Sequence, residues 1–493
     1  MTDSKKEIKT IPNYVIHWCL AGFAAVIFLI AVIAINEAYQ STSPEQIESG
    51  IITDNGDLKI NWERYNTYEV ELSETYTITG SGIYHFTGEL KDGAIIVNTN
   101  SEANVKLILD NVTIKHSSGP AIACYAADDL VIELIGENTI EDGKSYSKEY
   151  DEDVKGAIYS KSDLTFQGEG SLNLTASYQD GIVGKNDLKF NSGTYIISAT
   201  DDAIRGKDSV YIVGGDFDLT AKGDGIKSTD TATAGKGFVL IENGNIKIAA
   251  SDDGIHAEKS LIIENGNIDI SKSYEGLEAQ NILINGGDIS IIASDDGINA
   301  GGGSDNTTKN PRDGGSFNSD VNCVIDIEDG NIYINASGDG VDSNGYIHFN
   351  GGTVIIDGPT NNGNGALDTG ISINQAGGTV IAVGSSGMAE TLGQTSSINN
   401  ISVYFTSSQK AGTKIGIKDA DGNTIIEHTA AKAFNHLAVG TEEFGLSESY
   451  TIYLNDVKYQ SFILTDITTT VGNSSNNQQN MMPGQGGRPN NPW

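Results

Sequence analysis

An acid, a small residue and an aliphatic residue recur together seven times between residues 179 and 344, and this recurrence restricts the fold more than any other feature of the chain. The copies read QDGIVGK, DDAIRGK, GDGIKST, DDGIHAE, YEGLEAQ, DDGINAG and GDGVDSN. Their acids are Asp180, Asp202, Asp224, Asp253, Glu275, Asp296 and Asp339, spaced 22, 22, 29, 22, 21 and 43 residues apart. A unit near 22 residues with two insertions accounts for the series. Between the acids, stretches such as GTYIISA and LIIENGNIDIS alternate apolar with polar residues, while N-G and G-G pairs mark turns. Units of two or three short strands at this period suit an all-β parallel β-helix, in which each unit is one coil stacked on the last. The L-x-x-L-x-L-x-x-N signature of a leucine-rich repeat is absent, and a propeller needs units of about 40 residues.

The same strand and turn pattern extends upstream to about residue 75 and downstream to about 390, which sets the expected solenoid at 75–390. Residues 36–74 read as a linker and an N-terminal cap around Trp62, because an exposed coil end would leave backbone groups unpaired. Residues 391–471 read as antiparallel strands forming a small C-terminal β domain or cap. The polar Gly/Asn/Pro-rich tail, 472–493, has the composition of a disordered segment. At the other end, residues 14–35 (YVIHWCLAGFAAVIFLIAVIAI) carry no formal charge over a length that crosses a bilayer as a helix. Lys5, Lys6 and Lys9 precede this run, so the positive-inside bias places residues 1–13 in the cytoplasm and the remainder outside, as a single-pass cell-membrane protein. A cleaved signal peptide, leaving a secreted chain, is the competing reading of the same run. Cys19, Cys124 and Cys323 are too few and too scattered for a disulfide framework and read as free thiols.

With 30 Lys+Arg against 66 Asp+Glu, the net charge of -36 excludes a nucleic-acid binder that works through phosphate contacts. It favours cations instead. In a stacked solenoid the seven acids form a column one strand spacing apart, and two carboxylates about 5 Å apart repel by roughly 3 kcal/mol at an effective dielectric near 20. Doubling at Asp201-Asp202, Asp252-Asp253 and Asp295-Asp296 adds oxygens of the kind that hold calcium, which makes Asp180, Asp201, Asp202, Asp224, Asp252, Asp253, Glu275, Asp295, Asp296 and Asp339 the candidate metal ligands. The alternative is that Asp before Gly only shapes a turn. A second column follows the inward aliphatic residues: Val183, Arg205, Lys227, His256, Glu278, Asn299, Asp342 and Asp368. By strand alternation it points outward. Its basic members Arg205, Lys227 and His256 are candidates for binding a polymer with spaced carboxylates, against the alternative of a mixed, solvated face. Tyr178 and Tyr274, just before their acids, are candidates for stacking on sugar rings, although packing is the commoner role of such tyrosines. HExxH, G-x-S-x-G and phosphate-loop signatures are absent.

The segments YHFTGEL, LDNVTI, DLTFQGEGSLNL, the run of DGI coils, NGGTVIIDGPTNNGNGALD and GGTVIAVGSSGMAE resemble, in order over residues 75 to 390, the bacterial carbohydrate-binding β-helix family of clostridial cell surfaces. The resemblance implies a right-handed, pectate-lyase-like β-helix, bound calcium within the DGI motifs, and binding to polygalacturonate or cellulose. Three functions are in play: a non-catalytic surface binder, a polysaccharide lyase with Arg205 or Lys227 as base, and an adhesin or spacer that needs no ligand.

Overall fold

The computed structural model describes residues 60–301 and 319–472. The expected cytoplasmic N-terminus, the membrane segment at 14–35, most of the linker before Trp62 and the tail lie outside the described residues. Among the described residues no helix is long and apolar enough to cross a membrane. The fold there is all-β; its one helical element is the 3-10 turn Trp62–Arg64.

The chain winds through three strands per turn. A representative turn runs through Asp180–Gly184, Asp187–Phe190 and Thr194–Ala199, and the next through Ile204–Gly206, Ser209–Ile212 and Asp216–Thr220. Each strand pairs in parallel with its counterpart one turn later, Ile182 beside Ile204, Leu188 beside Val210, Tyr195 beside Phe217. Three parallel stacks result, with neighbouring rungs about 4.8 Å apart. The strand Thr67–Leu72 already pairs with Gly82–Leu90, so the winding starts a few residues before 75.

Alternation within each strand sends one set of side chains inward. Ile182, Ile204, Ile226, Ile255, Leu277, Ile298, Val341 and Leu367 lie side by side in the first stack and are all buried. Burial of each such side chain contributes roughly 1.5–3 kcal/mol. Phe166 stacks on Phe190 at 5.0 Å and Tyr195 on Phe217 at 4.8 Å within the same core. The corner between the second and third stacks is turned by glycines in the left-handed region, for example Gly266 (φ 127°) and Gly287 (φ 103°). A Cβ on Gly287 would lie 2.8 Å from the Gly266 carbonyl oxygen, so neither the backbone angle nor the space admits a side chain. That is the physical content of the repeated N-G and G-G pairs.

The parallel pattern ends at Thr379–Gly384, which pairs antiparallel with Phe434–Thr441, itself antiparallel to Asn400–Gln409. Four further antiparallel strands form a second sheet, Thr424–Thr429, Lys414–Lys418, Ser449–Leu454 and Val457–Ile463 in order. Ile381 and Val383 of the last rung share one core with Ile401, Val403, Leu437 and Val439, so these strands cover what would otherwise be an open edge. Cys124 and Cys323 are buried free thiols.

Candidate cation and glycan site

The seven acids stand where the third stack turns into the first. Their glycines are needed for contact rather than for a left-handed turn: a Cβ on Gly254 would sit 2.6 Å from the Gly276 carbonyl oxygen of the next coil. The acids have a local task of their own. Asp180 Oδ1 accepts the Asp202 N–H at 3.2 Å, Asp202 that of Asp224 at 2.9 Å, Asp224 that of Asp253 at 2.8 Å and Asp253 that of Glu275 at 3.1 Å. The ladder resumes with Asp296 accepting from Asp339 at 2.6 Å and Asp339 from Gly365 at 2.5 Å. One oxygen of each of these carboxylates therefore satisfies the backbone of the next coil where strand pairing pauses.

The remaining oxygens divide the column into two halves. The second column lies beside the first in the register anticipated from the repeat, Val183, Arg205, Lys227, His256, Glu278, Asn299, Asp342, Asp368. In the first half its basic members turn onto the acids. The Arg205 guanidinium lies 3.5 Å from Asp202 and 3.7 Å from Asp180, and Lys227 Nζ is 2.6 Å from Asp224. His256 does not stand on an open face: it is fully buried, with Nδ1 2.6 Å from Glu278 and 3.3 Å from Asp253. Burial alone would lower the His256 pKa, but these two carboxylates raise it to about 10 and hold the ring protonated. Burial still raises Asp180 to about 6 and Asp202 to about 7 despite the cations nearby.

In the second half the cations stop. Asp296, Asp339 and Asp342 bring carboxylate oxygens within 4.8 Å of one another, and among the described residues no Lys, Arg or His pairs with them. Asp295 and Asp296 both direct Oδ1 over Gly338, which has no side chain to fill the space. Burial, then mutual repulsion, raises Asp296 to about 7 and Asp342 to about 8, while burial raises Asp339 to about 6. Asp368 and Glu390 flank the cluster and are raised as well, Glu390 to about 7, chiefly by burial. A hard, oxygen-seeking cation fits this donor set. The groups in the first half fit such an ion poorly, because Arg205, Lys227 and His256 already supply the positive charge.

Of the other candidates, Asp201 groups with Asp180 and Asp202, and Glu275 with Asp253 and Glu278, each group bringing carboxylate oxygens within 4.8 Å of one another beside the cations of the first half. Asp201 and Asp252 are half-buried members of the doubled acids. Glu275 is raised to about 9 by burial and neighbouring carboxylates and accepts a bond from Asn299 at 2.9 Å. Tyr274 is 47% exposed and hydrogen-bonded to Asp295, beside the uncompensated acids. Tyr178 is half-buried and stacks on Tyr146 at 4.2 Å, and Tyr146 in turn donates to Asp142 at 2.7 Å. Tyr178 thus helps to pin the 143–155 insertion. Asp342 and Asp368 appeared in the sequence only as members of an outward column, and Glu390, outside any repeat, gave no signal.

Residues 73–309 match the family model described as "Carbohydrate-binding domain-containing protein". A curated protein of the same description from Acetivibrio thermocellus is 34% identical over 161 residues, which is 32% of this chain and 55% of that protein. The chain thus spans about half the length of this relative. A solved structure described as the polysaccharide lyase-like protein from C. thermocellum, in a gadolinium derivative, is 30% identical, covers 45% of this chain and 92% of its own, and has a TM-score of 0.40. Asp339, Asp342, Asp368 and Glu390 lie beyond the matched stretch.

Proposed function

We propose that this chain is a cell-surface, calcium-dependent carbohydrate-binding protein, a right-handed parallel β-helix held outside the cell, which recognises acidic plant cell-wall polysaccharide such as polygalacturonate. The match of residues 73–309 to carbohydrate-binding domains supports the ligand class. The handedness follows the near-universal preference of parallel crossover connections. The observation that carries the calcium reading is the group Asp296, Asp339 and Asp342, whose charge no described residue neutralises. There a calcium ion would link protein carboxylates to uronate carboxylates of the polymer.

The experiment is co-sedimentation of residues 40–470 with insoluble polygalacturonate and with cellulose, before and after chelation, with circular dichroism reporting the fold. Polyuronate binding that disappears on chelation while the fold persists is the expected outcome; failure to bind either polymer would return the chain to the adhesin or spacer reading.

A lyase remains the second reading because the neighbouring solved structure is described as polysaccharide lyase-like. Its candidate bases, Arg205 and Lys227, are engaged with Asp180, Asp202 and Asp224, and an ammonium held 2.6 Å from a carboxylate is a poor proton acceptor. We expect no unsaturated oligouronides from polygalacturonate at pH 8 with calcium. Their release, and its loss in Lys227→Ala, would establish the lyase.

A further inference from the structure

A second line of surface runs along a different corner of the molecule, between the second and third stacks, and the acid column does not reach it. Its floor is bare backbone. From Gly193 through Gly215, Gly244, Gly266, Gly287 and Gly330 to Gly352 and Gly378, each coil contributes a glycine in the left-handed region, and a Cβ on any of the last seven would lie 2.4–3.0 Å from the carbonyl oxygen of the glycine before it.

The walls are polar. On the second-stack side Asn285 donates to Glu264 at 2.9 Å and Asn350 to Glu328 at 2.7 Å. On the third-stack side Asn245 donates to Asp216 at 2.7 Å and Asn331 to Asp288 at 2.8 Å. Each amide keeps a second N–H, and each carboxylate keeps further lone pairs, for an outside partner. Three concavities of about 700, 600 and 420 Å³ follow one another along this corner. The first holds Tyr211, half-buried, with Lys189 Nζ 4.8 Å from its ring.

We infer that this trough is a second glycan-binding site, which takes an uncharged polysaccharide chain without calcium. Within each pair the donor and the acceptor stand on adjacent rungs, about 4.8 Å apart, and the pairs recur two rungs apart on the second-stack side and three rungs apart on the third-stack side, so a hydroxyl-bearing chain lying along the corner meets an amide or a carboxylate at successive rungs. A floor without side chains lets the chain lie against the backbone. The charge of the walls disfavours a polyuronate: Glu264, Glu328, Asp288 and Asp329 line the second and third concavities, and no basic residue does. The site deepens the carbohydrate-binding reading and rests on it, but it uses none of the candidate calcium ligands.

The test fills the trough at its two least crowded glycines. A Cβ on Gly214 would meet only the Asn191 carbonyl oxygen at 3.7 Å, an ordinary contact, and one on Gly286 only that of Glu264 at 3.2 Å, which has to give by a few tenths of an ångström, and neither residue needs a left-handed angle. Affinity for cellohexaose and for polygalacturonate is measured by calorimetry on the full-length chain in detergent and on its double variant Gly214→Leu/Gly286→Leu, with and without chelator, and circular dichroism confirms the fold. We expect cellohexaose binding to survive chelation and to weaken at least tenfold in the variant, with calcium-dependent polygalacturonate binding unchanged. Cellohexaose binding that requires calcium, that is unaffected by the plugs, or that is absent while polygalacturonate still binds overturns the trough and leaves the calcium reading intact. Absence of both affinities in the folded parent protein overturns the carbohydrate-binding reading itself.

Discussion

Asp342→Asn is expected to stabilise the chelated protein at pH 8 and to remove most of the stabilisation that calcium gives the parent chain. The cause is the uncompensated half of the column. Burial raises Asp342 to about 8, Asp296 to about 7 and Asp339 to about 6, against about 3.9 for an aspartate in the unfolded chain. A carboxylate whose pKa is higher in the folded state binds more protons there, so its stabilising contribution is complete below about pH 4 and is lost as pH rises through the folded values. Between pH 5 and 8 the chelated protein should therefore lose stability, the reverse of the trend for carboxylates paired with cations. One unit of raised pKa corresponds to about 1.4 kcal/mol, and because these groups titrate together, neutralising Asp342 alone should recover on the order of 2 kcal/mol at pH 8. Calcium acts on the same charge: at a hundredfold excess over its dissociation constant it adds about 2.7 kcal/mol to the folded state. Urea unfolding at pH 5 and pH 8, with calcium and with chelator, measures all four corners. If Asp342→Asn weakens the chelated protein, or responds to calcium as the parent does, the cation does not sit at this group.

How much of this was legible beforehand depended on whether a feature repeats. The 22-residue spacing located the inward column from Ile182 to Leu367 and the register of the column beside it, because both follow from one geometry applied at every coil. Charge partnership was not legible in the same way. Arg205, Lys227 and His256 were identified as outward residues, which they are with respect to the core, yet their side chains fold back onto acids three residues earlier in the chain or one coil away. Nothing in a strand pattern says whether an outward cation faces solvent or its neighbour; the decisive factor is how many unpaired carboxylates stand beside it. Likewise Glu390 reaches the acid cluster from a segment after the last DGI-like turn, and no periodicity connects it to Asp368.

The opposite behaviour is expected of Asp253, in the half where side chains supply the counter-charge. Asp253→Ala removes the acceptor of the Glu275 N–H and one of the two carboxylates at His256 Nδ1, leaving Glu278 as the other. Breaking a buried, hydrogen-bonded ion pair from one side costs about 3–5 kcal/mol, because the partner stays buried without its charge complement. Asp253→Asn keeps an oxygen for the Glu275 N–H and should lose less, about 1–3 kcal/mol, the part that belongs to the charge facing His256. Asp253 is itself lowered: burial is the largest single influence and opposes its charge, but the hydrogen bonds from His256, Glu278 and the Glu275 N–H together with the His256 charge outweigh it, so this carboxylate stabilises the fold above its unfolded pKa and loses that contribution under acid conditions. Neither substitution should alter the stabilisation produced by calcium. Set against Asp342→Asn, the two variants separate a carboxylate that holds the coils together from one that needs an external cation. A calcium response lost in Asp253→Asn and retained in Asp342→Asn would reverse that assignment and move the ion to the rungs around His256.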